Sequence, residues 1–313
     1  MPLFYNDNGL VLPKTFRVPN LCHLVLVNFA LLVGSSLLAT ATGLVTFSLS
    51  FIPPSVYWHM SDLLQRVLSM QHLQTLGISF YSAVPNNDIG RWVMSTPNET
   101  YVVLPNLHWL GFQGSSTYME AILPHMTTPQ LEKLQIYLFN KLTMSVTNLQ
   151  QFISTTETLR FTGASLRFGR VRFALQAYPH KVSRTYSLSM VIYRGFDTWP
   201  LSSTAQILGV LRPVFSGVMC LSVDFCDENH MLWLGLPMYN EADHMQWCNI
   251  LGSFNNVKML CVRDGTIREI SRSLKVLNGE LMIDLLPKLK ELICSAKVDA
   301  DNLFATFVAF IEA

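Results

Sequence analysis

The chain has 313 residues, room for about two ordinary domains or one continuous array. Half of them are hydrophobic and only 14% are charged, which excludes a mostly disordered chain. The formal net charge is +1, so no global field draws the protein towards nucleic acid or acidic membranes.

The start, Met1 to Asp7, lacks the basic region and adjacent apolar core of a secretory signal. A cytoplasmic or nuclear location is expected, and Asn98-Glu99-Thr100 is then an incidental match to the glycosylation acceptor. From Pro19 to Ser61 there is no Lys, Arg, Asp or Glu. A spanning helix needs about 20 continuous apolar residues. This stretch is broken by Asn28, Gly34-Ser35-Ser36, Thr40, Thr42 and Pro53-Pro54. It also contains the period-two runs Leu24-Val25-Leu26 and Val45 to Leu49, so strands are expected and no membrane contact.

Along the whole chain one phrase recurs: an apolar residue, two others, a Leu-like residue, one other, then another apolar residue. It stands at Leu21-Leu24-Leu26, Leu44-Phe47-Leu49, Leu73-Leu76-Ile78, Leu107-Leu110-Phe112 and Leu131-Leu134-Ile136. It returns at Thr156-Leu159-Phe161, Val218-Leu221-Val223, Val257-Leu260-Val262 and Leu289-Leu292-Cys294. This is the L-x-x-L-x-L core of a leucine-rich repeat, one short strand per unit with its apolar residues in a shared core. Between Thr156 and Val218 the spacing widens to 62 residues, enough for two units, and the alternation Tyr186-Leu188-Met190-Ile192 falls inside it.

Helix-patterned stretches precede the strands: Ser61–Met70, Asn86–Met94, Ser116–His125, Ser145–Ile153, Ser202–Leu211, Ala242–Leu251, Thr266–Leu274 and Glu280–Leu285. Pro105, Pro129 and Pro287 then exclude helix just before the strand. The predicted fold is therefore α/β: an irregular leucine-rich-repeat solenoid of roughly nine or ten units. A curved parallel sheet would line its concave face, with helices and turns on the convex face. The expected boundaries are an N-terminal extension at 1–17, the repeats at 18–300, and a C-terminal capping helix at 301–313. That last helix carries Leu303, Phe304, Phe307, Val308 and Ile311 on one face.

The wording of several units goes beyond a generic repeat. Met70-Gln71-His72-Leu73-Gln74-Thr75-Leu76, Leu104-Pro105-Asn106-Leu107-His108, Thr127 to Ile136, Phe254 to Leu260 and Leu285 to Leu292 resemble the F-box and leucine-rich-repeat proteins of mushroom-forming fungi. The likeness runs from about Phe16 to Ile311. It implies the substrate-receptor arm of a cullin-based ubiquitin ligase, in which an F-box bundle holds a Skp-type adaptor and the repeats recruit a target. Met1 to Lys14 offers only Val11-Leu12-Pro13-Lys14, too short for that bundle. The resemblance thus covers the recognition half, and an adaptor contact needs an F-box supplied elsewhere. Compared with these relatives, the C-terminal end looks clipped of a short basic tail.

Residues between the apolar positions of each unit face the concave side. The early units offer small neutral side chains, whereas later ones offer Trp109, Gln113, Lys133, Gln135, Tyr137, Arg160, Asp224 and Arg263, the candidate partner-binding residues. Large aromatics and Arg are common binding hot spots. The plain alternative is that Trp109 and Tyr137 cover each other on a solvated sheet. From Thr158 to Phe196 there are seven basic residues and no carboxylate, and from Pro213 to Val257 five carboxylates and no Lys or Arg. The basic stretch, Arg160 to Arg194, leaves nucleic-acid binding as an alternative, although no RNP-like phrase or helix-turn-helix signal accompanies it. Leu166 to Phe173 partly alternates, as one amphipathic strand would.

No metal or cofactor is expected. The six cysteines form no C-x-x-C pair, and the acidic stretch with His230 and His244 fits no ligand spacing. There is no G-x-S-x-G, G-x-x-x-x-G-K-[ST], H-E-x-x-H or G-x-G-x-x-G, so no enzyme is expected. The expected function is recognition of a protein target through the concave face, within a ligase or as a stand-alone scaffold.

Overall fold

A computed structural model describes residues 10–13, 15–31, 35–52, 60–81, 101–139, 146–169, 172–180, 185–193, 201–225, 241–263 and 285–295. The chain forms two compact units, 1–159 and 160–313. Both are mixed α/β. The helices expected at 86–94 and 266–274, most of the one at 280–285, and the capping helix at 301–313 lie outside the described residues.

In the first unit, five strands lie side by side and all parallel: β2 (His23–Val27), β4 (Thr46–Ile52), β5 (Thr75–Phe80), β7 (Trp109–Gly114) and β9 (Lys133–Leu138). The registers align the recurring phrase position by position. Leu24, Phe47, Leu76, Leu110 and Leu134 form one row, and Leu26, Leu49, Ile78, Phe112 and Ile136 another. All but Leu26 are buried. The first slot of the phrase is filled by Leu44, Leu73, Leu107 and Leu131, each fully buried. Three of these close the same turn: the N–H of Leu73, Leu107 and Leu131 donates to the carbonyl three residues back. Pro105 and Pro129 stand inside two such turns, where a fixed φ suits the bend. One backbone bond then steps from repeat to repeat, Gln74 to Val45, His108 to Gln74 and Glu132 to His108, at 2.8 to 3.0 Å.

Helices cover the core side of these strands. Helix α2 (Met60–Leu68) turns Leu63, Leu64 and Val67 against Leu76, Ile78 and Leu110. Helix α3 (Ser116–Ile122) adds Met119 and Ile122, and Ser115 caps it by accepting from the Tyr118 N–H. Helix α4 (Thr147–Thr155) buries Leu149, Phe152 and Ile153. A short helix, α1 (Ser36–Thr40), also stands here, a segment in which only strands were expected. Ser35 starts it by accepting from the Leu37 N–H. Two small parallel pairings, β1 (Leu10–Val11) with β3 (Phe29–Ala30) and β6 (Val102–Val103) with β8 (Met126–Thr127), complete the unit.

The second unit carries β10 (Gly163–Phe168), β11 (Arg172–Tyr178), β12 (Leu188–Tyr193), β13 (Cys220–Phe225), β14 (Met259–Arg263) and β15 (Glu291–Ser295). Strands β10, β13, β14 and β15 are parallel neighbours in that order. On the other side of β10, strands β11 and β12 run as an antiparallel meander. Helices α5 (Leu201–Leu211) and α6 (Glu241–Gly252) pack against each other. Phe168 meets Phe173 at 5.1 Å and Trp247 of α6 at 5.0 Å, which joins helix to sheet.

Three expectations are corrected in this region. The phrase Thr156-Leu159-Phe161 is not a strand. Leu159 ends the turn that begins at Thr156, as Leu73, Leu107 and Leu131 do in theirs, and the strand starts only at Gly163. Leu166 to Phe173 is not one strand but the two arms of the β10–β11 hairpin. The alternation from Tyr186 to Ile192 does not begin a further repeat, because β12 runs antiparallel to β11. The wide spacing between phrases is partly filled by this meander.

Candidate functional site

Parallel pairing in register places side chains of equal parity on one face. In the first unit, the face away from the helices carries three rows. The first is His23, Thr46, Thr75, Trp109 and Lys133; the second is Val25, Ser48, Gly77, Gly111 and Gln135; the third includes Ser79, Gln113 and Tyr137. Five of the candidate residues, Trp109, Gln113, Lys133, Gln135 and Tyr137, therefore share two neighbouring strands. All five are half-buried.

The floor explains how the indole lies. A Cβ added at Gly111 would stand 2.1 Å from Trp109 Cη2, and one added at Gly77 would stand 3.3 Å from Cζ3. The benzo ring thus lies along its own strand, over Gly111 and towards Gly77. It occupies space that any larger residue would fill. Beside it, the Gln135 side-chain amide donates to the Tyr137 hydroxyl. At the margin His108 Nδ1 approaches Glu132 Oε1 at 3.5 Å, an exposed pair of small energetic value. The His23 ring and the Thr46 hydroxyl are hydrogen-bonded at 3.0 Å.

In the second unit, the corresponding face is more charged. Arg167 of β10 pairs in register with Asp224 of β13, and Val223 with Val262, so that Asp224 neighbours Arg263 at the end of β14. These side chains edge an open hollow of about 230 Å³. Tyr178, opposite Gly163 in the hairpin, closes one side of it. Burial raises the Tyr178 hydroxyl above its ordinary value, and the positive charge of Arg167 partly offsets this. Its hydroxyl donates to Gln176 Oε1 at 3.0 Å.

Asp224 and Arg263 are thus brought together as neighbours. Arg160 is not a strand residue: it is exposed in the connection before β10, because the strand begins at Gly163, five residues later than the Thr158 start that the repeat phrase implied. Arg167 and Tyr178 were missed as site residues. Arg167 stood in the basic run, but its place on the open face follows only from the hairpin. The five described cysteines 22, 220, 248, 261 and 294 are free thiols. Burial raises the thiols of Cys248 and Cys294, and for Cys294 the nearby Cys261 adds to the effect. Among the described residues, no group of three or more His, Cys, Asp or Glu is placed to hold a metal ion. No described helix is long and apolar enough to cross a membrane.

No family model and no curated protein matches the chain. Among solved structures it is similar to the leucine-rich repeat-containing protein LegL7 from Legionella pneumophila, at 10% identity and a TM-score of 0.32. That match covers 88% of this chain and 76% of the other. A superposition at that level falls short of a shared fold, so the architecture rests on the strand registers themselves.

Proposed function

We propose that the chain is a leucine-rich-repeat solenoid that recognises a protein partner through its open strand faces, as a binding module without catalytic activity. The carrying observation is the register of β2, β4, β5, β7 and β9. It stacks the apolar rows into one core and leaves Trp109, Lys133, Gln135 and Tyr137 side by side on the opposite face. Each repeat buries its leucines only against its neighbours, which yields an extended surface rather than a closed catalytic cleft. In this reading the chain resembles the receptor arm of the fungal F-box proteins, and works inside the cell.

The test is affinity capture with the intact chain, comparing Trp109→Ala and Lys133→Ala with Gln65→Ala on the exposed side of α2. A partner lost with the first two variants and kept with the third supports the reading. Equal losses from all three would overturn it. Binding of a purified Skp-type adaptor decides between a ligase receptor and a stand-alone scaffold. Nucleic acid is the weaker reading, because Asp224 sits in register between two arginines and opposes a continuous polyanion.

A further inference from the structure

The hollow of the second unit carries an ordered charge pattern. Arg167, Asp224 and Arg263 form one row across β10, β13 and β14: cation, anion, cation on successive strands. Both arginines are exposed, and Asp224 is half-buried between them. The floor towards β10 is made of small residues, Gly163, Ser165 and Ser222, so that a partner's backbone can approach closely.

Spacing decides what kind of segment fits. Neighbouring strands are about 4.8 Å apart, so the two arginine positions stand about 10 Å apart with the carboxylate midway. An α-helix laid across the strands advances about 5.4 Å per turn, and its residues i and i+7 are about 10.5 Å apart. An extended chain separates same-face side chains by about 6.6 Å, which drifts out of phase by the third strand. Charge and spacing together select a helix.

We propose that this hollow binds an amphipathic helix of a protein partner, laid across β10, β13 and β14. The helix bears Asp or Glu at i and i+7, over Arg167 and Arg263, and Lys or Arg at i+3 or i+4, over Asp224. This deepens the protein-recognition reading above and rests on it.

The probe is a labelled synthetic helix of about 20 residues with Glu, Lys and Glu at i, i+3 and i+7, alongside its charge-inverted counterpart. Both are titrated against the full chain by fluorescence anisotropy. The wild type is expected to prefer the first helix by about tenfold or more, because like charges held together are repelled. The triple variant Arg167→Glu, Asp224→Lys, Arg263→Glu is expected to prefer the inverted helix, a reversal that misfolding cannot produce. Absence of preference in the wild type, or the same preference in the triple variant, overturns the proposal. So does single-stranded DNA that competes with the helix and shows the same dependence on both arginines. A native partner whose capture falls with Trp109→Ala but ignores the triple variant overturns this proposal while leaving the wider reading in place.

Discussion

Glu120 of α3 caps the helix that begins beside Asn148. Its carboxylate accepts the backbone N–H groups of Asn148 and Leu149 at 2.8 and 2.9 Å, and the Asn148 amide returns to the Glu120 carbonyl at 2.8 Å. Helix α4 follows Val146, whose side chain has no oxygen to offer, so the cap comes from the preceding helix instead. Truncation in Glu120→Ala leaves buried donors without a partner and is expected to cost about 1–3 kcal/mol. Glu120→Gln, which keeps an acceptor, should cost less. Urea denaturation of both variants checks the order; equal stabilities would show that the carboxylate does not cap α4.

The same group gives a pH dependence. Burial, the largest influence, raises the Glu120 pKa above its ordinary value, and the backbone donors of Asn148, Leu149 and Thr147 pull it partly back. The folded state then holds the proton more tightly than the unfolded chain. Its contribution to stability is complete below the ordinary carboxylate value and declines as pH rises through the raised folded-state value. The stability difference between wild type and Glu120→Gln should therefore shift against the wild type as pH rises from the ordinary carboxylate value through the raised folded-state value, and then level off. A shift in the opposite direction would mean that the backbone donors outweigh burial.

Trp109 and Gly111 give a second test. In Gly111→Ala the new methyl would meet Cη2 at 2.1 Å, so the indole must swing off the floor. The displaced atom is the far end of a half-buried side chain, so the stability change is expected to stay under about 1 kcal/mol. With 5-fluorotryptophan, one of six fluorine resonances should move, the same one that vanishes in Trp109→Phe. An unmoved spectrum would remove the indole from above Gly111.

The apolar rows were legible because apolar residues at fixed spacing within each phrase leave few alternatives for what faces inward. The predicted rows match the observed registers in eight of the nine phrases, although in the last of them Leu289 and Leu292 are half-buried and Cys294, expected in the core, is exposed. The ninth failed for a physical reason. Thr156, Leu159 and Phe161 have the right spacing, but Leu159 and Phe161 are buried in a turn and its continuation, not in a strand. Leu166 to Phe173 alternates only in part, Leu166 and Phe168 in one phase and Val171 and Phe173 in the other. The break falls between the two hairpin arms, where Phe168 pairs with Phe173 on one face. The Glu120 cap spans 28 residues and leaves no local signal. By contrast, the row of Ser48, Gly77 and Gly111 beside a tryptophan was a readable sign of a floor for a large ring.

Phe51 has φ of +56°, a conformation costly for a residue with a bulky side chain, and its ring is 46% exposed. The strand register shifts here, between Leu49 and Ile52. Relief of that strain at little cost in packing predicts that Phe51→Gly stabilises the protein by about 0.5–1 kcal/mol. Phe51→Val, branched at Cβ, should destabilise it. Thermal unfolding of the pair checks the sign, and a loss in both variants would show that the ring is doing more than it costs.

Two glycines set a matched contrast between room and its absence. A Cβ at Gly114 would stand 2.8 Å from both Phe112 Cζ and Phe80 Cδ2. Those rings are buried, and Phe80 and Tyr118 meet edge to face at 5.0 Å, so neither can easily withdraw. Gly114→Ala is expected to cost about 1–3 kcal/mol by overpacking. Gly209 lies in α5 with nothing within 4 Å of an added Cβ. There Ala restricts the unfolded chain and suits the helix, for a gain of about 0.5–1 kcal/mol. Opposite signs in denaturant melts of the two variants are the expected result. A neutral Gly114→Ala would mean that the Phe80, Phe112 and Tyr118 cluster is looser than its ring geometry implies.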